Sequence, residues 1–129
     1  MSVNYLSEEQ VIQQLSSGRS IEQWIGHKNE TDYRLIKWLR IDREKTNEYS
    51  VTSFEVFDEG NFDFLDIYEF SPLEPDLPYG EITTFDTKEK ALDFALKERS
   101  AKINEFVGKG IIQDVYAEFL RKEGLPPED

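Results

Sequence analysis

Residues 33–42, YRLIKWLRID, and 49–58, YSVTSFEVFD, alternate side-chain character at a period of two on either side of the polar break REKTNE. That period scatters apolar groups around a helix, whereas on a pleated strand it sends successive side chains to opposite faces. The two runs are therefore expected to pair as an antiparallel hairpin across the break. Residues 62–70, FDFLDIYEF, read as a third strand after a tight EGN connection, with Gly60 supplying the backbone freedom such a turn needs.

Register follows from the turns. With Asp42 opposite Tyr49, Lys37 flanks Phe54, and with Asp58 opposite Phe62, Phe54 faces Asp66. One face then carries Leu35, Leu39, Phe54, Val56, Phe62, Phe64, Tyr68 and Phe70 as core, with Lys37 and Asp66 as a structural ion pair among them. The other face lets Glu55, Asp63 and Glu69 meet Arg34 and Arg40.

The flanks read as helices. Ser7 with Gln10 has capping-box spacing ahead of Val11, Ile12 and Leu15, and Ser20 with Gln23 repeats it ahead of Ile21, Trp24 and Ile25, stopped by Gly26. SPLEPDLPYG, residues 71–80, must be a loop, and EITTF a fourth strand. A helix is expected from Asp86 to about Val107 on the stripe Leu92, Ala95, Leu96, Ile103 and Phe106. A last one runs on Ile111, Ile112, Val115, Tyr116, Phe119 and Leu120 to Gly124. The expected fold class is α+β: an antiparallel β-meander of about four strands covered by N- and C-terminal helices on one sheet face. The 129 residues suffice for a single domain, 1–129, with 125–129 a loose tail.

Charge is distributed unevenly over this plan. Of a net −12, residues 46–87 carry eleven carboxylates and no lysine or arginine, while 1–45 balance and 88–129 nearly do. Such a field repels nucleic acid and anionic lipid and attracts cations or basic protein surfaces. The chain has no cysteine, which excludes disulfides, thiolate metal sites and a cysteine nucleophile. MSVNYLSEEQ has neither the basic nor the apolar region of a signal peptide, and no apolar run approaches a membrane span, so a cytoplasmic location is expected.

The densest acidic group is Asp58, Glu59, Asn61 and Asp63, at the expected tip of the second hairpin, followed by Glu74, Asp76 and Glu81 around the proline-rich loop. Carboxylate, amide and carbonyl oxygens suit a hard cation such as Ca²⁺, and a solitary His27 serves softer metals poorly. DEGNFDFLDIYE is not an EF-hand, since Gly60 stands third and Asp63 sixth where the loop requires glycine. A small, acidic, cysteine-free α+β chain with the block FDEGNFDFLDIYEF and EPDLPYGE resembles the cyanobacterial acidic calcium-binding proteins of the CcbP type. The resemblance implies a soluble cytosolic calcium binder without EF-hands, tied to calcium control during cell differentiation.

Two functions follow as expectations. One is a buffering or regulatory calcium-binding protein, with those seven residues as ligands. The alternative is an acidic protein-interaction module of the inhibitor, immunity or DNA-mimic type, docking a basic partner. Carboxylates converging on one point favour the ion, and carboxylates spread along a face favour the partner. An enzyme is not expected: His27 lacks a nucleophile-elbow signature, GKG is too short to cradle phosphate, and nothing selects one carboxylate pair for glycoside hydrolysis. Trp24 and Trp38 are expected as core or sheet-face aromatics, and Asp114 with Glu118 as a solvated helix face.

Overall fold

The computed structural model describes residues 3–127; Glu128 and Asp129, the end of the expected tail, lie outside the described residues. Helix α1 (Glu8–Ser16) starts on the expected capping box, the Ser7 side chain accepting from the Gln10 amide while the Gln10 side chain accepts from that of Ser7. Strands β1 (Ile21–Asn29), β2 (Arg34–Lys45), β3 (Glu48–Phe57) and β4 (Glu81–Phe85) follow, then helix α2 (Lys88–Glu98), the two-residue strand β5 (Val107–Gly108) and helix α3 (Ile112–Glu123). All pairings are antiparallel, in the order β4-β3-β2-β1-β5. The fold is α+β, with five strands rather than about four.

The segment expected as a second helix is strand β1. Ile21, Trp24 and Ile25 have helical spacing, but the sheet has both faces covered, so Ile21, Glu22 and Gln23 are buried in succession and no alternation betrays the strand. Helices α1 and α2 pack on the face of Leu39, Ile41 and Val51. Helix α3 and a short 3-10 turn, Ile67–Glu69, pack on the opposite face over Ile36, Trp38 and Val56. Helices thus lie on both faces, not one.

The hairpin forms, but its register is one residue from the expected one. An irregularity between Arg43 and Lys45 sets Arg43 opposite Tyr49, Lys37 opposite Glu55 and Trp38 opposite Phe54. A one-residue slip moves every side chain to the other face. Phe54 and Val56 therefore join Ile36 and Trp38, not Leu35 and Leu39. Lys37 is exposed and pairs with Glu55 at 3.7 Å, so the expected Lys37–Asp66 pair does not exist.

Residues 62–70 are not a strand. Asn61 and Phe64 exchange backbone hydrogen bonds in a tight turn, the Asn61 side chain accepts from the Asp63 amide at 2.8 Å, and Asp66 caps the 3-10 turn through the Tyr68 amide at 3.2 Å. Asparagine and aspartate satisfying nearby amides compete with sheet pairing. Residues 71–73 lie against β3 instead, through Phe57 N to Ser71 O and Leu73 N to Glu55 O, both 2.9 Å. Phe62 and Phe64, expected in the core, are exposed, whereas Phe70 is buried.

Helix α2 is also shorter than its stripe. Thr87, not Asp86, caps it, and it ends at Glu98, after which Ser100 adopts φ 63° while the Ala101 amide closes on Ala95 O at 3.0 Å. That closure normally recruits glycine, because a Cβ is strained in the left-handed region. Ser100→Gly is therefore expected to raise unfolding free energy by about 0.5–1 kcal/mol, read by urea denaturation. A loss of stability would contradict this account of the helix end. Among the described residues no helix is long and apolar enough to cross a membrane.

Candidate functional site

Between β3 and β4 the chain makes an excursion, residues 58–80, that contains most of the acidic block. It is pinned from below at two places, its start at Asp58 and its middle at Tyr68. At the first, Asp58 is buried, and its Oδ2 accepts from Arg34 Nε at 2.8 Å and Arg34 Nη2 at 2.7 Å. Its Oδ1 accepts from the Tyr116 hydroxyl and, at 3.4 Å, from the Gly60 amide. Arg34 also donates to Gly124 O at 2.8 Å and lies over the Phe119 ring, tying α3 into the same knot.

The second knot has the same chemistry. Glu22, fully buried, accepts from Arg40 Nε at 2.9 Å, from the Tyr68 hydroxyl at 2.6 Å and from the Gly110 amide at 3.1 Å. Burial, and then the hydrogen bond to a carboxylate, pushes both phenols well above the usual tyrosine range: Tyr116 against Asp58 and Tyr68 against Glu22. Both hydroxyls therefore remain donors at any physiological pH and hold residues 58–70 on the sheet.

The expected metal ligands divide along this frame. Asp58 is committed to Arg34 and Tyr116. Glu59 accepts from the Ser71 amide at 2.5 Å and its hydroxyl at 2.9 Å, and Asn61 is occupied by the Asp63 amide. Glu81 pairs with Arg99 at 3.0 Å. Asp63, Glu74 and Asp76 are exposed. Among the described residues, no group of three or more histidine, cysteine, aspartate or glutamate side chains is arranged to hold a metal ion. The seven residues spread along the excursion rather than meet.

What the excursion does present is a mixed surface. Glu59, Asp63, Glu69, Glu74 and Asp76 are exposed and, among the described residues, make no ion pair, whereas Glu55, Asp58, Glu81 and Asp86 find bases from other elements. Interleaved with them stand Phe62 at 51 % exposure, Tyr79 at 80 % and Leu77 at 43 %, with Ile82 of edge strand β4 at 58 %. The sequence reading counted Phe62 as core and did not single out Tyr79. For Phe62 the signal was present in the local Asn and Asp turn chemistry, which forbids the strand that would have buried it; Tyr79 lies in the proline-rich loop expected at 71–80. Arg34 and Arg40 were expected in cross-strand pairs and Tyr116 on the apolar stripe of the last helix, while Glu22 was not singled out. Only their long-range meeting makes them the supports of the site.

His27 is exposed, lies 3.8 Å from Glu123 and packs edge-on against Phe119, which leaves it a surface residue as expected. Trp24 and Trp38 belong to the core on the α3 face. Asp114 is exposed, but Glu118 is only half so and accepts from the Val3 amide at 3.2 Å. No family model matches the chain, nor does any curated protein or solved structure.

Proposed function

We propose that this chain is an acidic protein-interaction module of the cytoplasm that docks a basic partner through residues 59–82. One observation carries the reading: exposed carboxylates without ion pairs alternate with exposed aromatic and aliphatic side chains on a segment whose first part, residues 58–70, is held from beneath by two arginine–carboxylate–tyrosine knots. Tyrosine and phenylalanine anchors contribute most of the affinity in protein interfaces, because each removes much apolar area from water at low entropic cost. Surrounding carboxylates speed encounter with a positive surface and disfavour neutral or acidic competitors. A frame already fixed in the free protein has less ordering to lose on binding.

The spread of the carboxylates favours a partner's face over a single ion. Calcium binding by Asp58, Glu59, Asn61, Asp63, Glu74, Asp76 and Glu81 is the competing reading, and one experiment separates the two. A partner captured at low salt is titrated against wild type, against Tyr79→Ala, and against a variant neutralised at Asp63, Glu69, Glu74 and Asp76. Affinity is expected to fall steeply with NaCl, to need no divalent ion, and to drop at least tenfold in each variant, the weight of one anchor or several screened charges. A calcium-dependent melting shift in wild type that the neutralised variant loses, with binding indifferent to Tyr79, would overturn the docking reading in favour of the ion.

A further inference from the structure

The two edges of the sheet are finished differently. Strand β5 closes one edge with only two residues, beside a β1 whose pairing with β2 shifts register between Trp24 and Gly26. Very short strands and irregular ladders blunt an edge, as do proline and lysine. Strand β4 uses none of these. It pairs with β3 over all five of its residues without a register shift, and its sequence, EITTF, contains neither proline nor lysine. Its one charged side chain, Glu81, is turned to Arg99 at 3.0 Å.

The outer row of β4 is free. An outermost strand turns alternate amides and carbonyls away from its only neighbour. Among the described residues, no hydrogen bond from outside the β3–β4 ladder reaches the backbone of Glu81–Phe85. Ile82 and Thr84 are exposed, and no residue of β4 belongs to the core beneath α3. On the opposite face Phe85 and Phe94 of α2, ring centres 5.0 Å apart, floor an open groove bordered by Lys90, Asp93, Lys97 and Glu98. The edge and this flank of α2 together make a slot, with backbone donors and acceptors along one side and aromatic rings at one end.

Only another extended chain matches alternating donors and acceptors at strand spacing. Charge selects which chain. A second copy would set two chains of net −12 edge to edge, with Glu81 and Asp86 of each bracketing one short ladder. We infer that β4 is the edge on which the basic partner docks: an extended segment of that partner, with lysine or arginine flanking a β-branched and apolar centre, adds to β4 as a further strand. The inference rests on the docking reading and gives it a mode. Strand β4 begins where the acidic excursion ends, so Glu74, Asp76 and Tyr79 directly precede the edge in the chain. Main-chain pairing then supplies affinity, while alternate side chains of the added strand meet the Phe85–Phe94 groove and set the register.

The probe is the acetylated, amidated peptide KKTVTVTKK, and the same peptide N-methylated at its central amides is the control. Both carry the same charge, and only the first can pair its backbone. Heteronuclear NMR at low salt is expected to show saturable shifts and slowed hydrogen exchange at the amides of residues 81–85. The N-methylated peptide is expected to bind at least about tenfold more weakly, the weight of two lost hydrogen bonds. Equal binding of the two peptides, or shifts that spare residues 81–85, would overturn the inference; shifts confined to 59–80 would do so while leaving the acidic docking surface intact. Saturable binding of neither peptide also overturns it, and the Tyr79→Ala titration against the partner then decides the docking reading separately. Dimerisation of the protein alone, with residues 81–85 already protected, would give the edge to a second copy and overturn it as well.

Discussion

Asp58→Asn is expected to lower the unfolding free energy by about 3–5 kcal/mol, a large part of the roughly 5–15 kcal/mol that holds an ordinary domain together. The substitution preserves shape, so the loss is electrical and directional. Both oxygens of Asp58 accept: Oδ2 from two Arg34 nitrogens, Oδ1 from the Tyr116 hydroxyl and the Gly60 amide. An asparagine must turn its amide nitrogen toward one of these sets, placing donor against donor in either orientation. It also leaves the Arg34 guanidinium, 3 % exposed, without its counter-charge. Urea denaturation measures the effect, and Arg34→Met combined with Asp58→Leu sharpens it. Replacing both partners by apolar groups should cost less than the asparagine alone, because no buried charge is then stranded. The loss is expected to persist with a chelator present, since Asp58 is bound here to protein donors. A change below 1 kcal/mol, or one that vanishes without calcium, would refute the structural role given to this residue.

Gly60→Ala is the second large effect. A Cβ on Gly60 would lie 2.5 Å from Phe64 O, 2.5 Å from the Tyr116 hydroxyl oxygen and 2.6 Å from Phe70 Cζ. None of the three yields easily. Phe64 O is backbone within the Asn61–Phe64 turn, Tyr116 is fully buried and bonded to Asp58, and Phe70 packs edge-on against Tyr116 at 5.4 Å. Overpacking of this kind costs about 1–3 kcal/mol by itself, and displacing Tyr116 disturbs the buried pair as well, so about 3–4 kcal/mol is expected. Gly26→Ala is the matched control, because nothing lies within 4 Å of its added Cβ, and it should change stability little. Thermal melts of the two variants compare them directly, and equal melting temperatures would remove the steric account. Gly60 was expected to serve a turn through backbone freedom. Among the described residues it is Gly18, Gly80, Gly110 and Gly124 that adopt positive φ, and Gly60 is required for the space its side chain leaves empty.

The sequence reading succeeded where structure is set by neighbours within one helical turn or one hairpin. The Ser7 capping box, the β2–β3 pair, the proline-rich loop, EITTF and the final helix ending at Gly124 all stand where expected. It failed where distant chain decides. The stripe of Ile21, Trp24 and Ile25 looked helical because a strand covered on both faces carries no period of its own. The Phe62–Phe70 run looked like a strand because apolar alternation outweighed three asparagine and aspartate side chains, at 58, 61 and 66, that divert backbone amides into turns.

The candidate site was legible in part. Its location within 54–81 and its sign of charge follow from the base-free block alone, since no folding of that segment can supply it with an internal cation. Which carboxylates remain exposed could not follow. Asp58 and Asp63 are five residues apart and chemically alike, yet one is sealed beneath Arg34 and the other faces water.

Composition and order along the chain determined the class of fold, the hairpin at its centre and the negative potential of its middle third, because these depend only on local periodicity and on counting charges. Tertiary structure decided the register, the face each aromatic occupies, and the division of the acids into buried supports and open surface. Those choices depend on long-range partners: the irregularity between Arg43 and Lys45 that shifts one strand by a residue, and the arginines of β2 that meet carboxylates from β1 and the end of β3. A carboxylate's role is fixed by whatever cation and donors the fold brings to it, and that meeting is not written within its own segment.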